Sequence, residues 1–132
     1  MTLNSPPSPR PFRILVVDDE RDNRELLEVI LGSEGFVVST AASGAEALES
    51  LAGEPADLVL LDIMMPGMNG YEVVEKMKGN DATKGIPVIM VTALEDRNAR
   101  ARAASAGADD FLRKPLDLSV LMARVKSLLP TT

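Results

Sequence analysis

The chain contains no cysteine, no histidine and no tryptophan, and only one tyrosine and three phenylalanines among its 132 residues. Without a thiol there is no disulfide framework, no cysteine nucleophile and no thiolate metal site. Without an imidazole there is no serine or cysteine triad and no His-ligated zinc. Any chemistry has to come from Asp, Glu, Lys, Ser, Thr or Tyr. Basic charge is also scarce, 14 Lys and Arg against 20 Asp and Glu for a formal net charge of -6. With so few rings, this balance argues against a nucleic-acid surface, which needs clustered cations and aromatic platforms. No apolar run approaches the roughly 18 to 20 residues of a membrane span, and the start lacks a basic segment followed by an apolar stretch. The protein is expected to be soluble and cytoplasmic, with neither a membrane nor a nucleic acid as direct partner.

What is present is the balance of one globular domain, 45% hydrophobic and 26% charged. Residues 1–11 carry four of the nine prolines and little apolar content, and are read as a flexible arm. From Phe12 to Leu129, followed by a short tail over 130–132, short apolar runs alternate with stretches of helical period. The runs are 12–17, 36–41, 56–61, 87–92 and 109–112.

The first helix, near 20–33, carries Leu26, Leu27, Ile30 and Leu31 on one face and is expected to end at Gly35 in a left-handed cap. The second opens with the capping pattern Ser43-Gly-Ala-Glu46 and turns Ala47, Leu48 and Leu51 inward. The third, near 70–78, shows Val73, Val74 and Met77, and the fifth, from an Asp117 cap to Leu129, shows Leu118, Leu121, Met122, Val125, Leu128 and Leu129. The fourth, between about Glu95 and Ala106, has mostly alanines to turn inward (Ala99, Ala103, Ala106), so it buries little apolar area and is expected to be the loosely held one.

Strands alternating with helices imply βαβ units, and right-handed crossovers build them into a parallel sheet covered on both faces. The first, third and fourth strands are almost wholly apolar, as central strands are. The second mixes in Ser39 and Thr40, and the fifth is short and flanked by Asp109, Asp110 and Arg113, so both are edges. The fold class that follows is α/β, a flavodoxin-like (βα)5 doubly wound parallel sheet of order 2-1-3-4-5, whose switch point lies at the carboxyl ends of strands one and three.

Asp18 and Asp19 follow strand one, Asp62 ends strand three, Thr92 ends strand four and Lys114 follows strand five, so all converge on one edge. Two carboxylates about 4 Å apart repel by roughly 1 to 4 kcal/mol, and Lys114 offsets only part of that. The surplus asks for a divalent cation, and oxygen ligands select Mg2+, with Mn2+ as the alternative. A carboxylate beside such an ion and an ammonium group is placed to attack a phosphoryl group.

Four stretches carry a resemblance: Ile14-Leu-Val-Val-Asp-Asp-Glu20, Leu60-Leu-Asp-Ile-Met-Met-Pro-Gly-Met-Asn-Gly70, Val88-Ile-Met-Val-Thr-Ala93 and Gly107-Ala-Asp-Asp-Phe-Leu-Arg-Lys-Pro115. Together they resemble the signatures of response-regulator receiver domains of two-component signalling, over about residues 12–129. The resemblance implies that Asp62 accepts a phosphoryl group from a histidine on a sensor kinase or phosphotransfer protein, or from a small acyl phosphate. It implies that Asp18, Asp19, Asp62 and the Met64 backbone carbonyl hold Mg2+, and that Lys114 pairs with Asp62, aimed by a cis bond to Pro115. Thr92 would donate to the phosphoryl group and vacate space for Phe111, which stands where many relatives carry Tyr. The fourth helix, fifth strand and fifth helix would form the switched face. There Asp109, Asp110, Arg113 and Arg124 match positions that bridge a symmetric dimer in similar receivers. The stretch 93–106 resembles receivers joined to cyclic-dinucleotide enzymes, and the chain is read either as stand-alone or as a piece of a longer protein with an output domain.

Each residue has a plainer reading. Asp18 and Asp19 alone would cap a helix, Lys114 alone would be solvated, and Pro66-Gly67 and Asn69-Gly70 are turn formers first. Met64, Met65 and Met68 are read as exposed loop methionines, and Arg97, Arg100 and Arg102 as a solvated face in preference to a docking patch. A flavodoxin-type electron carrier would need a phosphate loop where Asp18-Asp-Glu20 stands, and a haloacid-dehalogenase phosphatase would need an acid where Met64 stands. Met64 and Leu94 offer no side chain to orient water, so slow loss of the phosphoryl group is expected.

Overall fold

The computed structural model describes residues 11–93 and 97–129. The arm expected over 1–11 falls outside the described residues except for Pro11, as do Leu94, the expected helix start at Glu95, the Arg97 side chain and the tail 130–132.

Five strands and five helices alternate along the chain: β1 (Arg13–Val17), α1 (Arg21–Ser33), β2 (Val37–Ala41), α2 (Gly44–Gly53), β3 (Leu58–Asp62), α3 (Gly70–Lys78), β4 (Val88–Thr92), α4 (Arg97–Ala106), β5 (Asp110–Arg113) and α5 (Leu118–Leu128). The strands pair in parallel in the order β2-β1-β3-β4-β5. This is the order that strand polarity indicates. β3 and β4 are buried along their whole length, whereas β2 exposes Val37, Ser39 and Thr40.

Successive residues of each strand point to opposite faces, and the core divides accordingly. Leu15, Val17, Val59, Leu61, Val88 and Met90 pack under α2, α3 and α4, whereas Ile14, Val16, Leu58, Leu60, Ile89 and Val91 pack under α1 and α5. Both faces of a parallel sheet being covered, its central strands read as unbroken apolar runs.

Local chemistry sets the helix ends. Gly35 takes φ +92°, and the N–H groups of Phe36 and Gly35 donate to the carbonyls of Leu31 (3.2 Å) and Gly32 (3.1 Å), the paired bonds of a Schellman stop. The Ser43 hydroxyl accepts from the Glu46 N–H at 3.1 Å. A complete capping box, in which cap side chain and third-residue side chain satisfy each other's N–H groups, stands instead at Asn69 and Glu72. The Asp117 carboxylate caps α5 through the N–H groups of Ser119 and Val120. Bonds from the Ser119 hydroxyl and from those amides hold the Asp117 carboxyl below the usual range.

Two expected core positions lie outside. Leu26 is 58% and Leu118 46% exposed, so α1 buries only Leu27 and Leu31 fully and α5 buries Leu121 and Val125. Leu26 sits beside the inward stripe of α1, and Leu118 lies in the first turn of α5; helical spacing gives the direction of a side chain but not the width of what covers it. The loop methionines divide as well: Met64 is exposed, Met65 is buried in the core and Met68 packs partly against it.

Candidate functional site

The parallel ladder brings the strand ends together. Asp18 follows β1, and its N–H donates to the Ala41 carbonyl of β2 at 3.1 Å. Asp62 is the last residue of β3, opposite Val91 of β4, and Thr92 follows opposite Arg113 of β5. The Lys114 N–H donates to the Thr92 carbonyl at 2.8 Å, so the last backbone link of β5 starts the lysine at the same edge. The Lys114–Pro115 peptide is cis. Asp18, Asp62 and Thr92 are all buried.

One carboxylate oxygen from each of Asp18, Asp19 and Asp62 lies within 4.8 Å of the others, with Asp19 on the exposed side. Lys114 Nζ lies 3.2 Å from Asp18 Oδ2 and 3.6 Å from Asp62 Oδ2. Lys114 thus bridges both acids and sits closer to Asp18, a pairing that sequence did not anticipate. Asp62 Oδ1 accepts from the Met64 N–H at 3.2 Å. The burial of Asp62 pushes its carboxyl above the usual range; the Lys114 ammonium opposes this and the Asp18 carboxylate adds to it. At Lys114 burial works against the charge, but the carboxylates of Asp62 and Asp18 outweigh it and raise the ammonium above its usual value.

The root of α3 is built around Asp62. The Gly70 N–H donates to the Ile63 carbonyl at 2.9 Å. A Cβ at Gly70 would stand 2.5 Å from the Asp62 carbonyl oxygen and 2.8 Å from Ile63 Cα, both backbone atoms, so this approach requires glycine.

Three residues that sequence reading left out support Asp18. The Glu20 N–H donates to Asp18 Oδ1 at 2.9 Å, Asn23 Nδ2 to Oδ2 at 3.2 Å, and Arg24 through its guanidinium to the Asp18 carbonyl at 2.8 Å. Their spacing from Asp18 onto the first turn of α1 was the available signal.

On the α4, β5 and α5 side, Phe111 is buried with the Arg100 guanidinium 5.1 Å above its ring, and Arg102 lies 4.2 Å from the Tyr71 ring centroid. Two members of the expected solvated stripe are therefore stacked on aromatic rings of other elements. Asp110 pairs with Arg124 through both carboxylate oxygens, at 3.0 and 2.8 Å. Asp109 accepts from the Val88 N–H at 2.8 Å and pairs with Lys78 at 3.3 Å. Both acids expected at a dimer contact are thus engaged within the chain.

Comparison with known proteins agrees with this arrangement. The model of the response regulator receiver domain matches residues 14–126. The response regulator PleD of Caulobacter vibrioides is 49% identical over 116 residues, 88% of this chain and 26% of that protein. The response regulator MprA of Mycolicibacterium vanbaalenii is 42% identical over 124 residues, 92% of this chain and 52% of its own length. The chain therefore spans about a quarter and about half of these two relatives. Among solved structures, the chemotaxis protein CheY4 of Vibrio cholerae superposes with a TM-score of 0.86 at 28% identity, covering 91% of this chain and all of that one. A five-stranded sheet in this order, three acids and a lysine at its switch point, and a family match across nearly all the described residues lead to one conclusion: the chain belongs to the response regulator receiver domains, the phosphoacceptor signalling modules of two-component systems.

Proposed function

We propose that Asp62 is the phosphoacceptor and that Asp18, Asp19, Asp62 and the Met64 carbonyl hold Mg2+, with Mn2+ as substitute. The observation that carries this reading is the packing of three carboxylates within 4.8 Å around a single ammonium. Three negative charges against one positive leave a surplus of two, and an all-oxygen donor set with an exposed side at Asp19 suits a hard divalent ion. Bound there, such an ion would supply neutralisation of the charge on the phosphoryl oxygens.

The chain's own residues do the rest. An Asp62 carboxylate oxygen attacks phosphorus, a P–O bond forms, and the P–N bond to the donor histidine breaks, its electron pair leaving with the nitrogen of an imidazole already protonated on its other nitrogen. Lys114 transfers its pairing from the Asp62 carboxylate to the phosphoryl oxygens. The Thr92 hydroxyl donates to another, moving away from Phe111 and giving the ring room. The phosphoryl group brings nearly two negative charges, and the face of α4, β5 and α5 carries the change outward to a partner or an output domain, in the cytoplasm.

The donor is a sensor histidine kinase or a histidine phosphotransfer protein. A homodimer through the switched face has to extend or exchange the internal Asp110–Arg124 pair. Self-dephosphorylation is slow, because Met64 beside the acceptor orients no water.

Incubation with acetyl phosphate, with and without Mg2+, tests the reading by intact mass. The parent protein is expected to gain one phosphoryl group only with the ion, and Asp62→Asn none. Modification of Asp62→Asn, or equal modification with the ion chelated, refutes the assignment.

A further inference from the structure

The chemistry assigned to Asp62 leaves one neighbouring feature unused. On the α1 and α5 side of the sheet a cavity of about 310 Å³ opens directly beside the acids. Leu26, Leu27 and Ile30 of α1 form one wall, and Pro115, Leu116 and Leu118 from the turn into α5 form the other; Asp62 and Lys114 stand among its lining residues. Leu26 and Leu118 keep much of their surface open to solvent, so the mouth itself is apolar. An apolar cavity with a few convergent polar groups at one end is the usual form of a small-ligand site, and this volume is at the lower end of that range.

Continuity with the acceptor decides the occupant. A phosphoryl group within reach of Asp62 and Lys114 leaves whatever it is bonded to at the edge of this cleft. An apolar group there exchanges water for leucine and proline side chains, and a charged one does not gain from the exchange. We infer that the cleft is a leaving-group site that takes the apolar acyl chain of a small acyl phosphate, so that the protein selects among such donors by the length of that chain. The inference rests on Asp62 being the acceptor. In the step itself an Asp62 oxygen bonds to phosphorus, and the P–O bond to the acyl carboxylate breaks. The departing carboxylate keeps the electron pair and no proton has to move.

Acetyl and butyryl phosphate provide the test, because their leaving carboxylates are of nearly equal basicity and differ by two methylenes. Each methylene moved from water into the cleft is worth about a factor of four. With Mg2+ present and donor below saturation, butyryl phosphate is expected to modify the parent protein roughly fifteenfold faster than acetyl phosphate. Leu26→Asn and Leu118→Asn, both at exposed positions, are expected to bring that ratio toward one by slowing butyryl phosphate more than acetyl phosphate, with circular dichroism confirming the fold. Equal rates with the two donors in the parent protein, or a preference that survives in both variants, overturn the leaving-group site. Failure of both donors to modify the parent protein likewise overturns the leaving-group site, whereas modification of Asp62→Asn by either donor overturns the assignment of Asp62 and takes this inference with it.

Discussion

α3 and α4 lie side by side on one face of the sheet and are held there by different means. α3 buries Tyr71, Val73, Val74 and Met77, opens on a full capping box and grows out of the Asp62 loop through Gly70. α4 buries the single methyl groups of Ala99 and Ala103. Ala106 packs partly against the same core, and among the described residues polar contacts add to this: the Tyr71 hydroxyl donates to the Ala99 carbonyl at 3.5 Å, Arg102 stacks over Tyr71, and Arg100 stacks over Phe111. A buried apolar side chain contributes about 1.5 to 3 kcal/mol, and a solvent-exposed guanidinium stacked on a ring about 0.5 to 1 kcal/mol. The first kind of contact is lost only by opening the core. The second is undone by a guanidinium swinging into water it already touches. The helix rooted at Asp62 is thus the firmer anchor and the helix that follows Thr92 the less firmly held, and the proposed switch draws on it as switch elements are drawn from the less stable end of a fold.

The largest effect expected from this contrast is at Met77, which is completely buried. Met77→Ala should cost about 2 to 5 kcal/mol, the transfer loss plus the cavity left behind, and urea unfolding should register it as a drop in midpoint with unchanged slope. A loss below about 1 kcal/mol would remove α3 from its place as anchor.

Next in size is the charge at the root of α3. Burial and the neighbouring acids raise the pKa of Asp62 in the folded state. Between the unfolded and folded values the native protein holds the extra proton, so stability falls as pH rises through that window, and above it the ionised carboxylate is a net cost. Asp62→Asn removes that cost. In metal-free buffer at neutral pH the variant should be more stable than the parent, a gain that closes as pH falls below the ordinary carboxylate range of about 4. Thermal unfolding across pH measures it. Adding Mg2+ should stabilise the parent more than the variant, shrinking the difference, because a ligand shifts stability only through the state that binds it.

Much of this was legible from residue order. The polarity of Ser39 and Thr40, and of Asp109, Asp110 and Arg113, marked the edge strands, and from strand order the meeting of Asp18, Asp19, Asp62, Thr92 and Lys114 at one end of the sheet followed. What escaped was what depends on a partner distant in sequence. A basic stripe does not announce that Arg100 will find Phe111 and Arg102 will find Tyr71. Asp110 looked available until Arg124 closed on it, and Lys114 was matched to Asp62 although Asp18 lies nearer. Asn69 and Glu72 carried the capping-box spacing in plain sight, hidden by the turn-forming Asn-Gly pair. Leu26 and Leu118 were assigned inward by period alone, and the cleft between them has no signature along the chain.

The smallest effects belong to the two guanidinium contacts, and they bear most directly on why α4 is loose. Glutamine in place of Arg100 or Arg102 keeps the helix propensity while removing the guanidinium and its charge over the ring. Each change should lower global stability by about 0.5 to 1 kcal/mol, close to the error of an unfolding curve, so hydrogen exchange is the better measurement. Loss of a contact that holds only α4 raises the population of its local opening, so amides of 100–106 should exchange several-fold faster, whereas those of 73–78 that exchange by fluctuations leaving α4 in place should not change. Arg100→Gln should in addition release Phe111, read as faster exchange along β5, whereas Arg102→Gln should not, because its ring belongs to α3. Faster exchange in α3 and α4 together would mean that the two helices open as one unit, and the division between anchor and responder would have to be withdrawn.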